Sequence, residues 1–315
     1  MHYRQLGNSP LKCSVIGLGT WAMGGDAYGK VDDQVSIDTI HAAVDAGINL
    51  IDTAPVYGAG HSEEVVGRGI KGIRDKVILA TKCGNNRTPD GGYERNGDPQ
   101  QLRRDLENSL RRLDVDTIDL FQFHWPDATR PIAPAFAELE KMRKEGKIRA
   151  IGVSNFSCAQ MDEVRAVCEL ASLQPPYSLL DRDFEAELMP YCVEHNIGIL
   201  SYGSIGAGVL TGKFKERPIF PETDTRSRFY AKFFTEEAWP KTAALVDVLS
   251  DVAASRGKPT VHAAINWVLA QPGMTVALVG AKTPEQVRMN AEAGSWEMTA
   301  EEVARIEEAY QKIFA

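Results

Sequence analysis

The chain has 315 residues, 43% of them hydrophobic and 25% charged, and its formal net charge at pH 7 is −8. Its 27 glycines and 16 prolines are too few for a disordered or collagen-like chain, so the composition is that of a globular protein. The negative charge argues against non-specific binding to nucleic acid or to anionic membranes, and no stretch is apolar for long enough to cross a bilayer.

The first residues and the cysteines narrow the class of protein further. The N-terminal residues lack the apolar core of a secretory signal peptide, which predicts a cytoplasmic protein. The five cysteines are odd in number and no two have the C-x-x-C spacing, so the sequence predicts neither a disulfide framework nor a metal site.

Short, almost continuously apolar segments recur along the chain. A small hairpin is predicted over residues 3–11, and strands follow at 15–18, 48–51, 77–80, 118–121, 148–153, 197–200 and 276–279, with a weaker one at 171–174. Continuous apolar character is typical of parallel strands covered on both faces. Helical patterns lie between them, with start signals at Asp98-Pro99 and Thr299-x-x-Glu302.

The spacing of these segments predicts the architecture. Most neighbouring strands are about 30 residues apart, the length of a βαβ unit, and no linker divides the chain. Eight such units favour a closed barrel over two stacked sheets. The sequence therefore predicts an α/β fold, a (β/α)8 TIM barrel forming a single domain over residues 1–315. It has an N-terminal β-hairpin and a long loop after strand 7, from Lys213 to about Lys241, which suits an active-site or cofactor loop.

Two local patterns imitate nucleotide-binding motifs. Residues 17–22 match G-x-G-x-x-A after a strand, but residues 23–29 prolong the loop where a Rossmann turn opens a helix at once. The segment 207–214 resembles a P-loop yet begins with Ala207 and places Phe214 after its lysine, so it fails at both ends.

Four ionisable or proton-carrying side chains follow neighbouring strands at the end where barrel enzymes hold their chemistry. The second predicted strand ends in Asp52 and its loop carries Tyr57, while the third ends in Lys82 and the fourth in His124. Adjacent strands lie about 4.8 Å apart, so we expect these side chains to meet. Singly they suit a salt bridge, loop packing or a buried histidine. Together they favour an active site.

The four residue types suit one chemical task. A tyrosine hydroxyl has a pKa of about 10 in water, and a neighbouring lysine ammonium is expected to lower it. A carboxylate keeps the lysine charged and oriented, and a histidine hydrogen-bonds the substrate oxygen or the tyrosine. The set predicts an acid that protonates a carbonyl oxygen while another group delivers hydride.

The motifs around these residues resemble those of the aldo-keto reductases. They are DTAPVYG over 52–58, GHSEE over 60–64, ATK over 80–82, DLFQFHWPD over 119–127, GVSNF over 152–156 and Q-x-x-YSLLDR over 174–182. The likeness runs from about Leu6 to the C-terminal helix. It is closer to the bacterial branch related to potassium-channel β subunits than to aldose reductase. It implies a (β/α)8 barrel, NADP(H) as cofactor and reversible carbonyl reduction.

The resemblance also implies roles for individual residues. Tyr57 is the proton donor, Lys82 and Asp52 tune it, and His124 orients the carbonyl. The implied cofactor-binding residues are Thr20, Trp21, Asp52, Ser154, Asn155, Gln174, Tyr202, Gly203, Ser204, Ile205, Gly208, Lys213, Gly280, Lys282, Gln286 and Asn290. Four of them are expected near the nicotinamide: Ser154, Asn155, Gln174 and Tyr202. Ser154 and Asn155 equally suit an ordinary βα turn, and an aromatic strand end such as Tyr202 is often simply packed.

The phosphate-binding end is predicted from two segments. By resemblance, residues 203–208 and Lys213 form the phosphate-gripping loop, although relatives more often have Tyr-Ser/Phe-Pro-Leu at this strand end. Helix N-termini attract phosphate, and Lys282 adds a charge suited to a 2′-phosphate, which favours NADPH over NADH. Thr283-x-x-Gln286 is also a capping box, so Gln286 suits a structural role equally well. Asn290 matches the adenine contact.

The substrate pocket is predicted from aromatic residues and one polar loop. Trp21, Tyr57, His124 and Trp125 are the expected substrate-binding residues, with loop packing as the alternative for the two indoles. The polar loop at 85–96 favours hydroxylated substrates such as sugars, polyols or small oxoaldehydes, although most polar loops are simply solvated.

The sequence thus predicts an NADPH-dependent reductase that interconverts a small aldehyde or ketone and its alcohol. One alternative is an isomerase or dehydratase that uses bound NADP without net redox change. Another is a cofactor-sensing regulatory subunit. The sequence predicts no nucleic-acid or membrane partner, and it does not indicate the oligomeric state.

Overall fold

A computed structural model describes residues 1–88 and 90–315 of the chain. The strands of this part are β1 (Tyr3–Gln5), β2 (Lys12–Ser14), β3 (Ile16–Gly19), β4 (Leu50–Asp52), β5 (Ile78–Cys83), β6 (Asn85–Arg87), β7 (Tyr93–Arg95), β8 (Ile118–Phe123), β9 (Ile148–Ser154), β10 (Ser172–Gln174), β11 (Gly198–Ser201) and β12 (Met274–Gly280). The helices are α1 (Asp33–Asp45), α2 (His61–Ile70), α3 (Pro99–Leu113), α4 (Ile132–Lys144), α5 (Cys158–Arg165), α6 (Leu188–Glu194), α7 (Ala238–Ser255), α8 (Thr260–Leu269), α9 (Pro284–Glu292) and α10 (Ala300–Phe314).

Eight of these strands close into a barrel. β3, β4, β5, β8, β9, β10, β11 and β12 pair in parallel in that order, and β12 returns to β3 with Ala277 opposite Ile16. A helix follows each barrel strand, and two helices follow each of the last two strands: α7 and α8 after β11, and α9 and α10 after β12. The predicted (β/α)8 barrel is confirmed, and the weak segment at 171–174 supplies β10. Both predicted helix starts are confirmed, since the side chains of Asp98 and Thr299 accept hydrogen bonds from the first turns of α3 and α10.

The N-terminal hairpin closes one end of the barrel. β1 pairs antiparallel with β2, and Leu6 and Leu11 between them pack against inward-facing barrel residues such as Leu50 and Leu120. Arg4 fastens the hairpin from the side, because its Nη1 donates to the carbonyls of Leu269 and Met274 at 3.0 and 2.6 Å. The predicted hairpin is therefore confirmed, and it covers the N-terminal ends of the strands.

The interior of the barrel changes from apolar to polar along each strand. Side chains two residues apart on a strand share a face. Leu50, Ala80 and Leu120 therefore line the part of the interior nearest the N-terminal hairpin. Two residues after each of them, toward the carboxyl end of the strand, comes a polar residue: Asp52, Lys82 and Gln122 respectively. The residues between them face outward toward the helices. This alternation concentrates charge and amide groups at one end.

Two loops shape the carboxyl end of the barrel. The segment predicted as a polar loop at 85–96 contains the antiparallel hairpin β6–β7, with Asn85 opposite Arg95; Pro89 lies outside the described residues. The predicted long loop after the seventh barrel strand is confirmed, and it crosses to the loop after β3, where Thr225 N donates to Ala27 O at 2.8 Å. That β3 loop begins with a 3₁₀ turn over Trp21–Gly24, as expected for a chain without a Rossmann turn.

None of the helices in the described part of the chain is both long and apolar enough to span a membrane.

Candidate active site

The centre of the carboxyl end is a buried ion pair between adjacent strands. Lys82 is wholly buried and its Nζ donates to Asp52 Oδ2 at 2.6 Å and to Thr53 O at 2.9 Å. Burial lowers the pKa of Lys82, and the charge of Asp52 opposes that fall. A lysine out of contact with water needs such a partner to remain charged. The predicted contact between Asp52 and Lys82 is therefore present.

Tyr57 lies directly above this pair. It begins the turn after β4, and Lys82 Nζ donates to its hydroxyl at 3.4 Å. The turn is held in place by Gly58, which has φ +60° and lies so close to the backbone of Gly24 that a Cβ would overlap it. Trp21 stacks on the Tyr57 ring with centroids 5.9 Å apart. Backbone contact below and an indole beside it thus fix the phenol.

The pKa of Tyr57 moves in the direction opposite to the one predicted. Burial raises it well above its usual range, and the Asp52 charge adds to the rise. The expected lowering of the pKa was wrong chiefly because burial disfavours the charged phenolate, and the Asp52 carboxylate, 2.6 Å from the ammonium, adds to the rise. Tyr57 is therefore protonated at neutral pH, which is the form that can donate a proton.

His124 faces Tyr57 from the end of the neighbouring strand. The two rings meet edge to face with centroids 6.2 Å apart, and the His124 backbone N donates to Cys83 O at 3.0 Å. Burial, followed by the charges of Lys82 and Arg95, lowers the pKa of His124 well below its usual range. The imidazole is neutral, and its buried Nδ1 has no hydrogen-bond partner among the residues that the structure describes.

Two glutamine amides complete the polar layer beneath the ion pair. Gln122 Nε2 and Gln174 Nε2 donate to Asp52 Oδ1 at 3.1 and 2.9 Å, and Gln174 Nε2 also donates to Gln122 Oε1 at 3.2 Å. Gln122 is wholly buried and Gln174 is 2% exposed. Gln174 was predicted as a cofactor contact, whereas Gln122 was missed. The sequence does contain a signal for Gln122, because it lies two residues after the inward-facing Leu120 and therefore faces the barrel interior as well.

The residues predicted at the nicotinamide end form one hydrogen-bonded network. Asn155, with φ +62°, donates from Nδ2 to Ser154 Oγ at 2.9 Å and to His124 O at 3.0 Å, and it accepts from the Tyr202 hydroxyl at 2.9 Å. Ser154 Oγ in turn donates to Gln174 O at 2.7 Å. These side chains therefore lie together, as predicted, and Ser154 and Asn155 also stabilise the turn after β9. Their contact with a cofactor stays a prediction.

Thr20 holds the strand end from outside the ion pair. Its backbone N and its Oγ1 both lie 3.0 Å from Asp52 O, to which they donate. Ser62 Oγ lies 2.9 Å from Thr20 Oγ1 and 3.0 Å from Thr53 Oγ1. Thr20 is wholly buried in this network. The structure therefore gives it a clear role in positioning Asp52, and its predicted cofactor contact stays a prediction.

The predicted phosphate-gripping loop follows β11. Gly203, Gly206 and Gly208 have φ of +70°, +55° and +92°, and Ala207 between the last two has φ +54°, so the backbone from Gly206 to Gly208 turns in the left-handed region. Successive residues of this kind can aim their N–H groups at an anion. The predicted Ser204 is different, because its hydroxyl is buried against Ser201 Oγ at 2.9 Å.

Three cationic side chains, Lys213, Arg226 and Lys282, lie near this loop. A Cβ on Gly208 would lie 3.0 Å from Lys213 Nζ, which places the lysine over the turn. Lys282 Nζ donates to Tyr28 O, and the Arg226 guanidinium lies 5.8 Å from the Tyr28 ring centroid. Burial and then the charge of Arg226 lower the pKa values of both lysines. Arg226 was not predicted individually, although its loop was.

The guanidinium of Arg226 forms an ion pair with the carboxylate of Asp224. Its Nε and Nη2 donate to Asp224 at 2.8 and 2.5 Å, and Asp224 is 7% exposed. With Lys213 and Lys282 close enough for their pKa values to respond to Arg226, three cations face one carboxylate. The group retains an excess of positive charge, which suits phosphate.

The end of β12 and the start of α9 flank Lys282, one of these cations. A Cβ on Gly280 would lie 3.7 Å from Gly19 O, an ordinary van der Waals contact, so a small side chain would fit at this strand end. Thr283 Oγ1 caps α9, but Gln286 Oε1 accepts from Lys282 N at 2.8 Å rather than from Thr283 N, so the reciprocal capping box is not formed. Asn290 Nδ2 donates to Gly280 O at 3.5 Å.

Aromatic rings border the approach to Tyr57 and His124. Trp125 stacks beside His124 with centroids 6.5 Å apart, and the Arg95 guanidinium lies 4.8 Å from the centroid of Trp125. On the other side, Phe229 of the long loop meets Trp21 edge to face at 5.9 Å. Both tryptophans predicted for the substrate pocket therefore lie next to the central residues, and their contact with substrate stays a prediction.

No group of three or more His, Cys, Asp or Glu side chains in residues 1–88 and 90–315 is arranged to hold a metal ion. Each of the five cysteines is a free thiol.

Comparison with known proteins gives consistent matches over nearly the whole chain. The model of the "Aldo/keto reductase family" matches residues 15–311. The chain is 43% identical over 305 residues to "Aldo-keto reductase YhdN" of Bacillus subtilis (strain 168), covering 96% of this chain and 91% of that protein. It is 36% identical over 303 residues to "NADH-specific methylglyoxal reductase" of Escherichia coli (strain K12), covering 91% and 92%.

Solved structures agree with these relatives. The glycerol dehydrogenase AKR11B4 from Gluconobacter oxydans superposes with a TM-score of 0.92 at 42% identity, covering 98% of this chain and 95% of that chain. The aldo-keto reductase AKR11C1 from Bacillus halodurans, in its holo form, gives a TM-score of 0.81 at 27% identity, covering 98% and 96%.

Proposed function

The chain belongs to the aldo/keto reductase family, and from this membership we propose that it reduces small aldehydes or ketones with NADPH, reversibly, using Tyr57 as the proton donor. Carbonyl–alcohol oxidoreduction is the activity of the family. The observation that carries the finer assignment is the Tyr57 hydroxyl, protonated and 3.4 Å from the Lys82 ammonium, beside a neutral His124. Such an arrangement holds a proton where a carbonyl oxygen can receive it.

Each side chain has a distinct part in the proposed proton transfer. Tyr57 gives its proton to the carbonyl oxygen, and the Lys82 ammonium stabilises the phenolate that remains. His124 keeps its proton on Nε2, because leaving a buried N–H unpaired at Nδ1 costs more than leaving a lone pair there. That Nε2–H donates to the same carbonyl oxygen and orients it.

The three cations and the turn beside them fit a dinucleotide phosphate. Lys213, Arg226 and Lys282 supply more positive charge than Asp224 offsets, and the turn at 206–208 adds left-handed backbone. We therefore assign the phosphates to this group and the nicotinamide end to the network of Asn155, whose neighbours are Ser154, Gln174 and Tyr202. When bound, NADPH supplies the hydride.

Substrates of this site are proposed to be small and polar. The rim carries Arg95 and the polar hairpin β6–β7, and the two tryptophans leave an aromatic wall at the centre. The names of two relatives, a methylglyoxal reductase and a glycerol dehydrogenase, support small oxoaldehydes and polyols. Sugar-derived carbonyls fit the same description.

The direct test is the stoichiometry of NADPH oxidation with a reactive aromatic aldehyde and with methylglyoxal. We expect one NADPH to be oxidised for each alcohol formed. Isomerised or dehydrated product with no NADPH consumed would support the redox-neutral alternative instead. Tight NADPH binding with no product from any carbonyl would support the cofactor-sensing alternative.

The two reaction directions are expected to differ in their pH dependence. The pKa of Tyr57 lies well above its usual range, so the phenol form needed for reduction is present throughout pH 6–8, and reduction should be nearly independent of pH there. Alcohol oxidation needs the phenolate, whose fraction rises about tenfold per pH unit below the pKa. Initial rates in both directions at matched saturation check this. A reduction rate that falls steeply between pH 6 and 8 would contradict it.

Cofactor preference is expected to depend on Lys282. A charge-assisted hydrogen bond to the 2′-phosphate contributes about 1.5–3 kcal/mol, so Lys282→Glu should lower the ratio of kcat/KM for NADPH to that for NADH by about 10–100-fold. The matched control is Lys12→Glu, an equal charge change on the exposed face of the far hairpin. An unchanged ratio in Lys282→Glu would refute the assignment. The preference needs this test because one relative, 36% identical, is named as an NADH-specific methylglyoxal reductase.

A further inference from the structure

Asp52 is held by more than its lysine. Its two carboxylate oxygens are divided between two sets of partners: Oδ2 receives the Lys82 ammonium at 2.6 Å, and Oδ1 receives the amides of Gln122 and Gln174 at 3.1 and 2.9 Å. All four residues are at most 3% exposed. With Oδ1 fixed by two amides, the carboxylate cannot turn without breaking hydrogen bonds that water does not replace.

Gln122 also determines which way the amide of Gln174 points. The Gln122 oxygen accepts from Gln174 Nε2 at 3.2 Å, so both N–H groups of Gln174 are used on the inner side, on Gln122 and Asp52. A primary amide has only two such donors. Its oxygen is therefore turned away from the ion pair, and it accepts no hydrogen bond from the described residues. That oxygen is the atom free to accept from the carboxamide of a nicotinamide.

We propose that Gln122 is a positioning residue that holds the Asp52 carboxylate toward Lys82 and fixes the Gln174 amide with its oxygen toward the cofactor. The inference rests on the proposed function and deepens it. One side chain, which touches neither substrate nor cofactor, sets the geometry of the proton-donating pair and of the cofactor contact together.

The residue type at 122 is decisive because the position must donate to one neighbour and accept from the other. An amide does both at every pH. A protonated carboxylic acid does both as well, because its O–H donates to Asp52 and its carbonyl accepts from Gln174. An ionised carboxylate only accepts, and it places a second negative charge against Asp52. A leucine does neither.

Two substitutions use this difference. Gln122→Leu is expected to lower kcat for aldehyde reduction about 10–100-fold at all pH values and to weaken NADPH binding about fivefold. These ranges correspond to the loss of hydrogen bonds to a charged group and of one fixed amide contact. Gln122→Glu is expected to lie within about threefold of wild type at pH 5.5 and to lose at least tenfold in kcat by pH 8.5, as the shared proton leaves the two carboxyls.

The same pH dependence should be visible without turnover. The dissociation constant for NADPH, measured by quenching of tryptophan fluorescence, should match wild type for Gln122→Glu at pH 5.5 and should rise at pH 8.5. Leu120→Met, a volume-conserving change two residues earlier on β8, controls for general disturbance of the barrel and should match wild type in both assays. Thermal unfolding of each variant at both pH values verifies that the fold is kept.

The outcomes separate the inference from the function on which it rests. Wild-type turnover together with Gln122→Leu at the wild-type rate overturns the positioning role and leaves the proposed function standing. Equal NADPH affinity of Gln122→Glu at both pH values overturns it as well. If the wild type oxidises no NADPH with any carbonyl, the proposed function fails, and the binding measurements alone decide whether Gln122 orients Gln174.

Discussion

Replacing Tyr57 by phenylalanine is expected to lower kcat for aldehyde reduction by about 10²–10⁴-fold, the range typical of a positioned general acid. The Tyr57 hydroxyl is the protonated group within hydrogen-bond reach of Lys82, and its ring is fixed by Trp21 and by the turn at Gly58. Phenylalanine keeps the ring and its stacking. The affinity for NADPH should therefore stay within about threefold, and stopped-flow turnover with fluorescence titration measures both quantities.

Tyr93 provides the matched control for this substitution. Its ring is 59% exposed on the β6–β7 hairpin, so Tyr93→Phe removes a hydroxyl at the rim without touching the ion pair. We expect it to retain the wild-type kcat. A Tyr57→Phe variant that turns over as fast as wild type would show that another group donates the proton, and His124 would be the next residue to test.

Removing the charge of Lys82 is expected to damage both activity and stability. Lys82→Met leaves the Asp52 carboxylate buried without its cation, which typically costs about 3–5 kcal/mol in the free energy of unfolding. It also removes the charge that stabilises the phenolate of Tyr57, so kcat for reduction should fall by at least about 10²-fold. Urea denaturation and steady-state turnover give the two effects separately.

The double variant Asp52→Asn/Lys82→Met separates the two causes. Neutralising both partners removes the unpaired buried charge, so most of the lost stability should return, while the activity should not. Lys141→Met is the surface control, because its ion pair with Glu138 is exposed on the lysine side and should contribute less than about 1 kcal/mol. A double variant that recovers turnover would refute the role given to the Lys82 charge.

The barrel and the central residues could be predicted because they depend on local pattern. Each barrel strand is a short apolar segment, and the polar residue that ends it lies at the carboxyl end of a parallel sheet. Asp52, Lys82 and His124 follow this rule, so their proximity follows from strand order alone. Tyr57 was added by its position in the loop after Asp52.

Other parts of the site depend on contacts that no local pattern contains. Arg226 lies 56 positions before Lys282, and only the crossing of the long loop over Tyr28 brings the two together. The direction of the Tyr57 pKa shift depends on how deeply the phenol is buried and on how close it lies to the Asp52 charge. Neither quantity can be read from residue types.

Two features, the inward position of Gln122 and the hairpin β6–β7, could have been predicted from the sequence but were not. Gln122 is polar within an apolar strand, in phase with Leu120, and that phase places it inside the barrel. The dipeptide Asp90-Gly91 is typical of turns, and it lies between β6 and β7. The alternation of strand faces and the chemistry of the turn would have predicted both.

The closing of the barrel has a consequence for how the protein is made. β3 is synthesised early, but one of its two neighbours, β12, lies about 260 residues later, where Ala277 pairs with Ile16. At about 5–20 residues per second, one edge of β3 waits about 13–50 s on the ribosome for its partner. An unpaired edge is a template for strands of other chains. The newly made chain is therefore most prone to aggregate before residue 280 emerges, although the finished barrel is a closed ring.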